Sequence, residues 1–179
     1  MLARTMLLRI LVLLMPPLFG STALAQGALD PANEYRLKAA FLFNFATFTE
    51  WPKNDSTSLL ACVYGDAPFG AHLDAIVGRK VGTRSFQVQR VSSVDALDGC
   101  QLVFITRPMI GNLGRVLDRL EGRAVLTVAD SPGAMENGVM LNMDSSAGRI
   151  SFSANLAAAR RQGLGLSSKL LNLATEIKQ

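Results

Sequence analysis

Three charged residues stand just beyond three apolar runs. Asp66 follows Leu59 to Tyr64, Arg107 follows the LVFI segment at 102–105, and Asp130 follows Val125 to Val128. If the runs are strands of an open α/β sheet, all three residues lie past carboxyl ends, where such folds gather their function. Two carboxylates there could share a divalent cation, as in phosphate-transfer receivers. Both also stand beside Pro or Gly, and an Asp in that setting serves well as a turn cap. The structural role is the simpler reading, and a receiver would work in the cytoplasm, at odds with the N-terminus described below.

Nucleophilic catalysis finds little support. The chain has one histidine, His72, and no G-x-S-x-G elbow. GDAPFG (65–70) lacks the Lys of a phosphate loop, and GLGLSS (163–168) has no strand before it. No cofactor box and no metal site are expected, and the chain reads as a non-enzyme.

Binding chemistry is better represented. Arg149, Arg160 and Arg161 lie close in sequence and could hold a phosphate, a carboxylate or an acidic partner; the alternative is a solvated helix face. Phe41, Phe43, Phe45, Phe48 and Trp51 could contribute to a hydrophobic interface, although core packing accounts for most of them.

Cys62 and Cys100 are the only cysteines. In an oxidising compartment an even pair reads as a disulfide, and the loop it would close is worth roughly 4 kcal/mol in the chain-entropy description. Two buried free thiols are the alternative. With one His and no C-x-x-C spacing, zinc is a poor fit.

The compartment is suggested by residues 1–25. Arg4 and Arg9 precede or interrupt an apolar block that runs to Met15, Pro16-Pro17 breaks it, and Ala23-Leu24-Ala25 follows. This is the pattern of a secretory signal cut after Ala25. The expected body, 26–179, is a single soluble domain. Of the formal charge of +4, two units belong to Arg4 and Arg9. No dense Lys/Arg run points to nucleic acid.

The elements that must position these residues follow from the periodicity. Asp30-Pro31 opens a helix over 32–50 as N-cap and N1, with Leu37, Phe41, Phe45 and Phe48 on one stripe that Leu42 and Phe43 widen. Strands are expected at 59–64, 80–81, 85–91, 101–106 and 125–128, with helices at 70–77, 94–97 and 112–120. A hairpin of 139–143 and 149–154 comes next, then helices over 156–162 and 167–178. The alternation implies an α/β single domain: a mixed, mostly parallel central sheet, helices on both faces, and the hairpin at one edge.

Five segments together resemble the YfiR family of periplasmic proteins. They are YRLKAAFLFNFATFTEWP (35–52), LLACVYGDAPFG (59–70), CQLVFITR (100–107), AVLTVADSPGAMENGVMLNM (124–143) and RISFSANLAAARRQGLGLSSKLLNLA (149–174). The resemblance implies a regulator that represses a membrane-bound, YfiN-like diguanylate cyclase through its periplasmic sensor domain, and so controls cyclic-di-GMP signalling and biofilm formation. It implies a homodimer, and peptidoglycan or a small aromatic or nucleotide-like molecule as ligand. Cys62 and Cys100 match one of two disulfides of the best-known type. The other is missing, since Val139, Met140 and Met143 stand in its region. Arg149, Phe152 and Asn155 fall in the segment implicated in ligand binding. With Phe43, Trp51 and Arg160 they form the expected partner or ligand set.

Overall fold

A computed structural model describes residues 30–66, 69–146 and 148–179. The expected signal segment lies outside the described residues.

Helix α1 spans Pro31–Phe48. Pro31 at its start needs no donor there, and Asp30 closes the first turn with its backbone carbonyl, which accepts from the Glu34 N–H at 2.9 Å, not with its side chain. The helix ends two residues before the expected boundary because Thr49–Glu50 (β1) leaves it to pair with Gly165–Leu166 (β9). Its buried face is also rotated from the expected stripe. Lys38, Ala39, Leu42, Phe43, Phe45 and Ala46 are buried, whereas Phe41 and Phe48 are half-buried.

The remaining strands are β2 (Ser58–Tyr64), β3 (Lys80–Val81), β4 (Arg84–Val91), β5 (Leu102–Ile105), β6 (Leu126–Ala129), β7 (Leu141–Ser146), β8 (Arg149–Asn155) and β10 (Glu176–Lys178). They form one eight-stranded sheet in the order β10-β8-β7-β6-β5-β2-β4-β3. Only β3–β4 and β7–β8 pair antiparallel. The central strands β5 and β6 are buried at every residue, as two-sided coverage requires. The expected α/β class, with a mostly parallel sheet and helices on both faces, is what the structure has.

One face packs against α1, α3 (Leu156–Arg161) and α4 (Ser168–Leu171). Its core is aromatic: Phe45 meets Phe152 edge-on at 5.0 Å, and Phe69 meets Phe104 at 5.3 Å, pairs worth about 0.5–1.5 kcal/mol each beyond their buried area. The other face holds α2 (Leu113–Leu120), with Leu113, Val116 and Leu120 inward. Cys62 in β2 and Cys100 before β5 are bonded across this neighbouring parallel pair, with Cα atoms 5.9 Å apart.

Three expectations are corrected. The helix at 70–77 is a 3-10 turn over Gly70–His72 followed by turns. The helix at 167–178 stops at Leu171. Thr175 then bonds the Phe152 carbonyl through both its N–H (2.8 Å) and its hydroxyl (3.0 Å), which draws Glu176–Lys178 into a strand parallel to β8. That strand covers β8, so the hairpin lies one position in from the edge.

Candidate functional site

The hairpin and the end of β6 build the site. Val128 and Ala129 of β6 pair with Leu141 and Asn142 of β7, so β7 begins where β6 ends. The rest of the hairpin overhangs the sheet's carboxyl edge. Its register separates two faces. Met143 lies opposite Phe152 and turns with it into the α1 core. Asn142 lies opposite Ser153 and Asp144 opposite Ser151, which directs these four polar residues to the other side. There they wall a cavity of about 460 Å³ with the loop after β6, Arg107 and the start of β10. Its size is that of a ligand site, and it lies outside a strand carboxyl end, on the β6–β7 side and not at the β2–β5 switch point of the sheet.

Two of the lining residues, Arg107 and Asp130, belong to a charge cluster that reaches α1. Lys38 projects from the middle of α1 and its Nζ is 2.5 Å from Asp130 Oδ2 and 2.5 Å from Glu34 Oε1. The Lys38 and Asp130 side chains are each 1% exposed. Arg107 Nε donates to the Asp130 carbonyl at 2.8 Å and lies 3.6 Å from its carboxylate. The Ser145 hydroxyl donates to Glu34 Oε1 at 2.8 Å and ties the helix to the hairpin. Two carboxylates thus face two cations, which is how buried charges are tolerated. Burial raises the Glu34 pKa, but the Lys38 and Ser145 hydrogen bonds and the charges of Lys38 and Arg107 outweigh it and hold the carboxyl below its usual range. The Lys38 ammonium also lies 4.6 Å from the Tyr35 ring centroid, and burial pushes the Tyr35 hydroxyl above its usual range.

Of the three strand-end residues, the structure joins Arg107 and Asp130 and leaves Asp66 exposed at the end of β2. Asp130 spends one oxygen on Lys38, not on a cation from solution. Among the described residues no group of three or more His, Cys, Asp or Glu could hold a metal ion.

The expected partner or ligand residues are dispersed. Phe43 is buried edge-on to Phe86 at 5.6 Å, with the Arg79 guanidinium 3.8 Å from its ring centroid. Trp51 is half-buried, donates to the Ala46 carbonyl at 2.9 Å and has Arg84 5.4 Å from its ring centroid. Burial lowers the pKa of Arg84. Phe152 is a core residue that also lines the cavity. Asn155 is buried as the N-cap of α3: its Oδ1 accepts from the Ala158 N–H and its Nδ2 donates to the Met135 carbonyl. Arg149 opens β8 and Arg160 lies in α3 beyond its other end.

Lys38, Glu34 and Ser145 escaped the sequence reading. A signal for Lys38 existed: Tyr35, Lys38, Leu42, Phe45 and Thr49 recur at helical spacing, so a lysine occupies a core position of an apolar stripe. Its partner, 92 residues away, left no local trace.

No helix among the described residues is long and apolar enough to cross a membrane. No curated protein matches the chain. Two solved structures share the fold at 9% identity: a conserved domain protein from Vibrio cholerae, with a TM-score of 0.53 over 80% of this chain, and an ABC domain from Streptococcus pneumonia in complex with L-Trp, with a TM-score of 0.54 over 78%. The match spans 60% of each of those chains. The family model DUF4154, described as YfiR/HmsC-like, matches residues 35–175, from the helix that carries Lys38 to the threonine that starts the last strand. The chain belongs to the YfiR/HmsC-like family.

Proposed function

We propose that this protein is a periplasmic regulator that binds the periplasmic domain of a membrane-bound diguanylate cyclase and holds it inactive, restraining cyclic-di-GMP signalling and biofilm formation. The family match over residues 35–175 carries this reading. A secretory signal at residues 1–25 would deliver the domain to the periplasm, and the disulfide suits that compartment. Repression needs no catalysis. It needs the regulator to prefer the inactive cyclase, by roughly 5.5 kcal/mol to move a population from 1:99 to 99:1. The homodimer and a contact role for Phe43, Trp51, Arg149, Phe152, Asn155 and Arg160 belong to the same proposal. The test is deletion of the gene in a strain that keeps its diguanylate cyclases. Cyclic-di-GMP should rise and return to its starting level on complementation. Unchanged levels, together with no binding between the purified protein and the cyclase's periplasmic domain, would overturn the reading.

The cavity beside Asp130 favours a second reading, a solute-binding module. One of the structures with a similar fold holds L-Trp. The family resemblance supplies the candidates, peptidoglycan fragments and nucleotide-like or aromatic molecules, although Glu136, Asp144 and Glu176 in the lining weigh against the anionic ones. Melting curves with L-Trp, mononucleotides and muropeptides separate this reading from the first: a saturable shift supports it, and flat curves with all three reject it.

A further inference from the structure

We propose that the cavity at the carboxyl end of β6 binds a small organic polycation, a diamine or polyamine, through its ammonium groups. The first ground is charge. Glu136, Asp144 and Glu176 line the cavity, are exposed, and make no ion pair among the described residues. Among the described residues Arg107 is the one cation in the lining, and its Nε is already turned to Asp130. Glu34 and Asp130 are balanced by Lys38 and Arg107, so the three free carboxylates set the sign of the field.

The second ground is independent of that rim. Asp130 Oδ1 and Ser131 Oγ are buried without a hydrogen-bond partner, and both residues line the cavity. A buried carboxylate oxygen without a donor is costly, and an ammonium group is the donor that also suits the charge around it. Ser151 and Ser153 add further acceptors on the hairpin wall, and Pro132 and Met135 offer apolar surface to a methylene chain.

A metal ion fits less well. No three carboxylate, His or Cys side chains among the described residues converge closely enough to share one. Acidic groups spaced around a cavity of about 460 Å³ match a molecule whose positive charges are also spaced. The inference does not depend on the cyclase: it assigns a ligand class to a cavity, whatever the protein's partner.

The experiment is calorimetric titration of the purified, oxidised protein with spermidine and with putrescine at physiological salt, with melting curves alongside. Magnesium chloride at matched ionic strength is the control. Spermidine should bind saturably, more tightly than putrescine, and raise the melting temperature, with no equal effect of magnesium. The triple variant Glu136→Gln, Asp144→Asn, Glu176→Gln alters only exposed side chains and should keep its circular dichroism while binding roughly tenfold more weakly. No saturable heat, an equal response to magnesium, or an unchanged affinity in the folded triple variant would each overturn the proposal. None of these outcomes bears on cyclic-di-GMP levels in the deletion strain, so the two readings fail separately.

Discussion

The Lys38 ammonium and the Asp130 carboxylate meet 2.5 Å apart in the interior, one from the first helix and the other from the loop after β6. Removing Asp130 leaves Lys38 with Glu34 alone, and removing Lys38 leaves Asp130 with only Arg107 at 3.6 Å, so each loss should approach, from below, the roughly 3–5 kcal/mol of a broken buried pair. Lys38→Met and Asp130→Asn should each destabilise the protein by that order, measured by urea unfolding. The double variant should lose less than the two single losses added together. Strict additivity would mean that the two groups do not interact.

The Cys62–Cys100 bridge spans a sequence separation of 38 across neighbouring central strands. Reduction, or Cys62→Ser, should remove about 4 kcal/mol and make the chain sensitive to protease. A melting temperature that reductant leaves unmoved would contradict this.

Glu34 sets an acid dependence. Its carboxyl titrates below the usual value near 4.5 in the folded protein, so on acidification the unfolded chain takes up the proton first. The stabilisation is complete above that usual value and is lost as the pH falls through the lower, folded one. Glu34→Gln should therefore flatten the loss of stability between pH 5 and pH 3 (roughly the window in which carboxylates titrate), followed by urea unfolding at each pH. An unchanged acid slope would exclude Glu34 as a contributor.

Gly65 has φ +91° at the end of β2, and a Cβ there would overlap the Thr106 and Met109 side chains. Gly65→Ala should cost about 2 kcal/mol or more from backbone strain and the clash together. Gly82→Ala, in the open turn between β3 and β4 with φ +59° and no neighbour within 4 Å, should cost less. Equal losses in thermal unfolding would refute the steric part.

Most of the sheet was legible because its signals are local. LVFI at 102–105 is a continuous apolar run, VLTV at 125–128 is apolar or β-branched throughout, and the turn at Gly82 lies between two short β-type segments. The errors came where distant contacts decide. Ser167 to Lys178 has a helical apolar face, yet the Phe152 carbonyl captures Thr175 and turns the end of the segment into a strand. The expected α1 stripe differs from its true axis because the seven large apolar side chains of the helix fit two faces, and the buried Lys38 lies on one of them. At the candidate site, Arg107 and Asp130 were visible as strand-end residues. Lys38, the partner of Asp130, was not, because a charge inside an aromatic helix acquires its meaning only from the carboxylate that meets it.

The register of β7 divides that strand in two. Leu141 and Asn142 are held on both sides, by β6 and β8, whereas Met143 to Ser146 pair with β8 alone. A two-stranded ribbon is marginal by itself, so the overhanging half can open locally while the rest of the sheet stays closed. Amide protons of residues 143–146 should exchange with solvent ahead of those in β5 and β6, and the Ser145–Glu34 hydrogen bond is the latch such an opening would release.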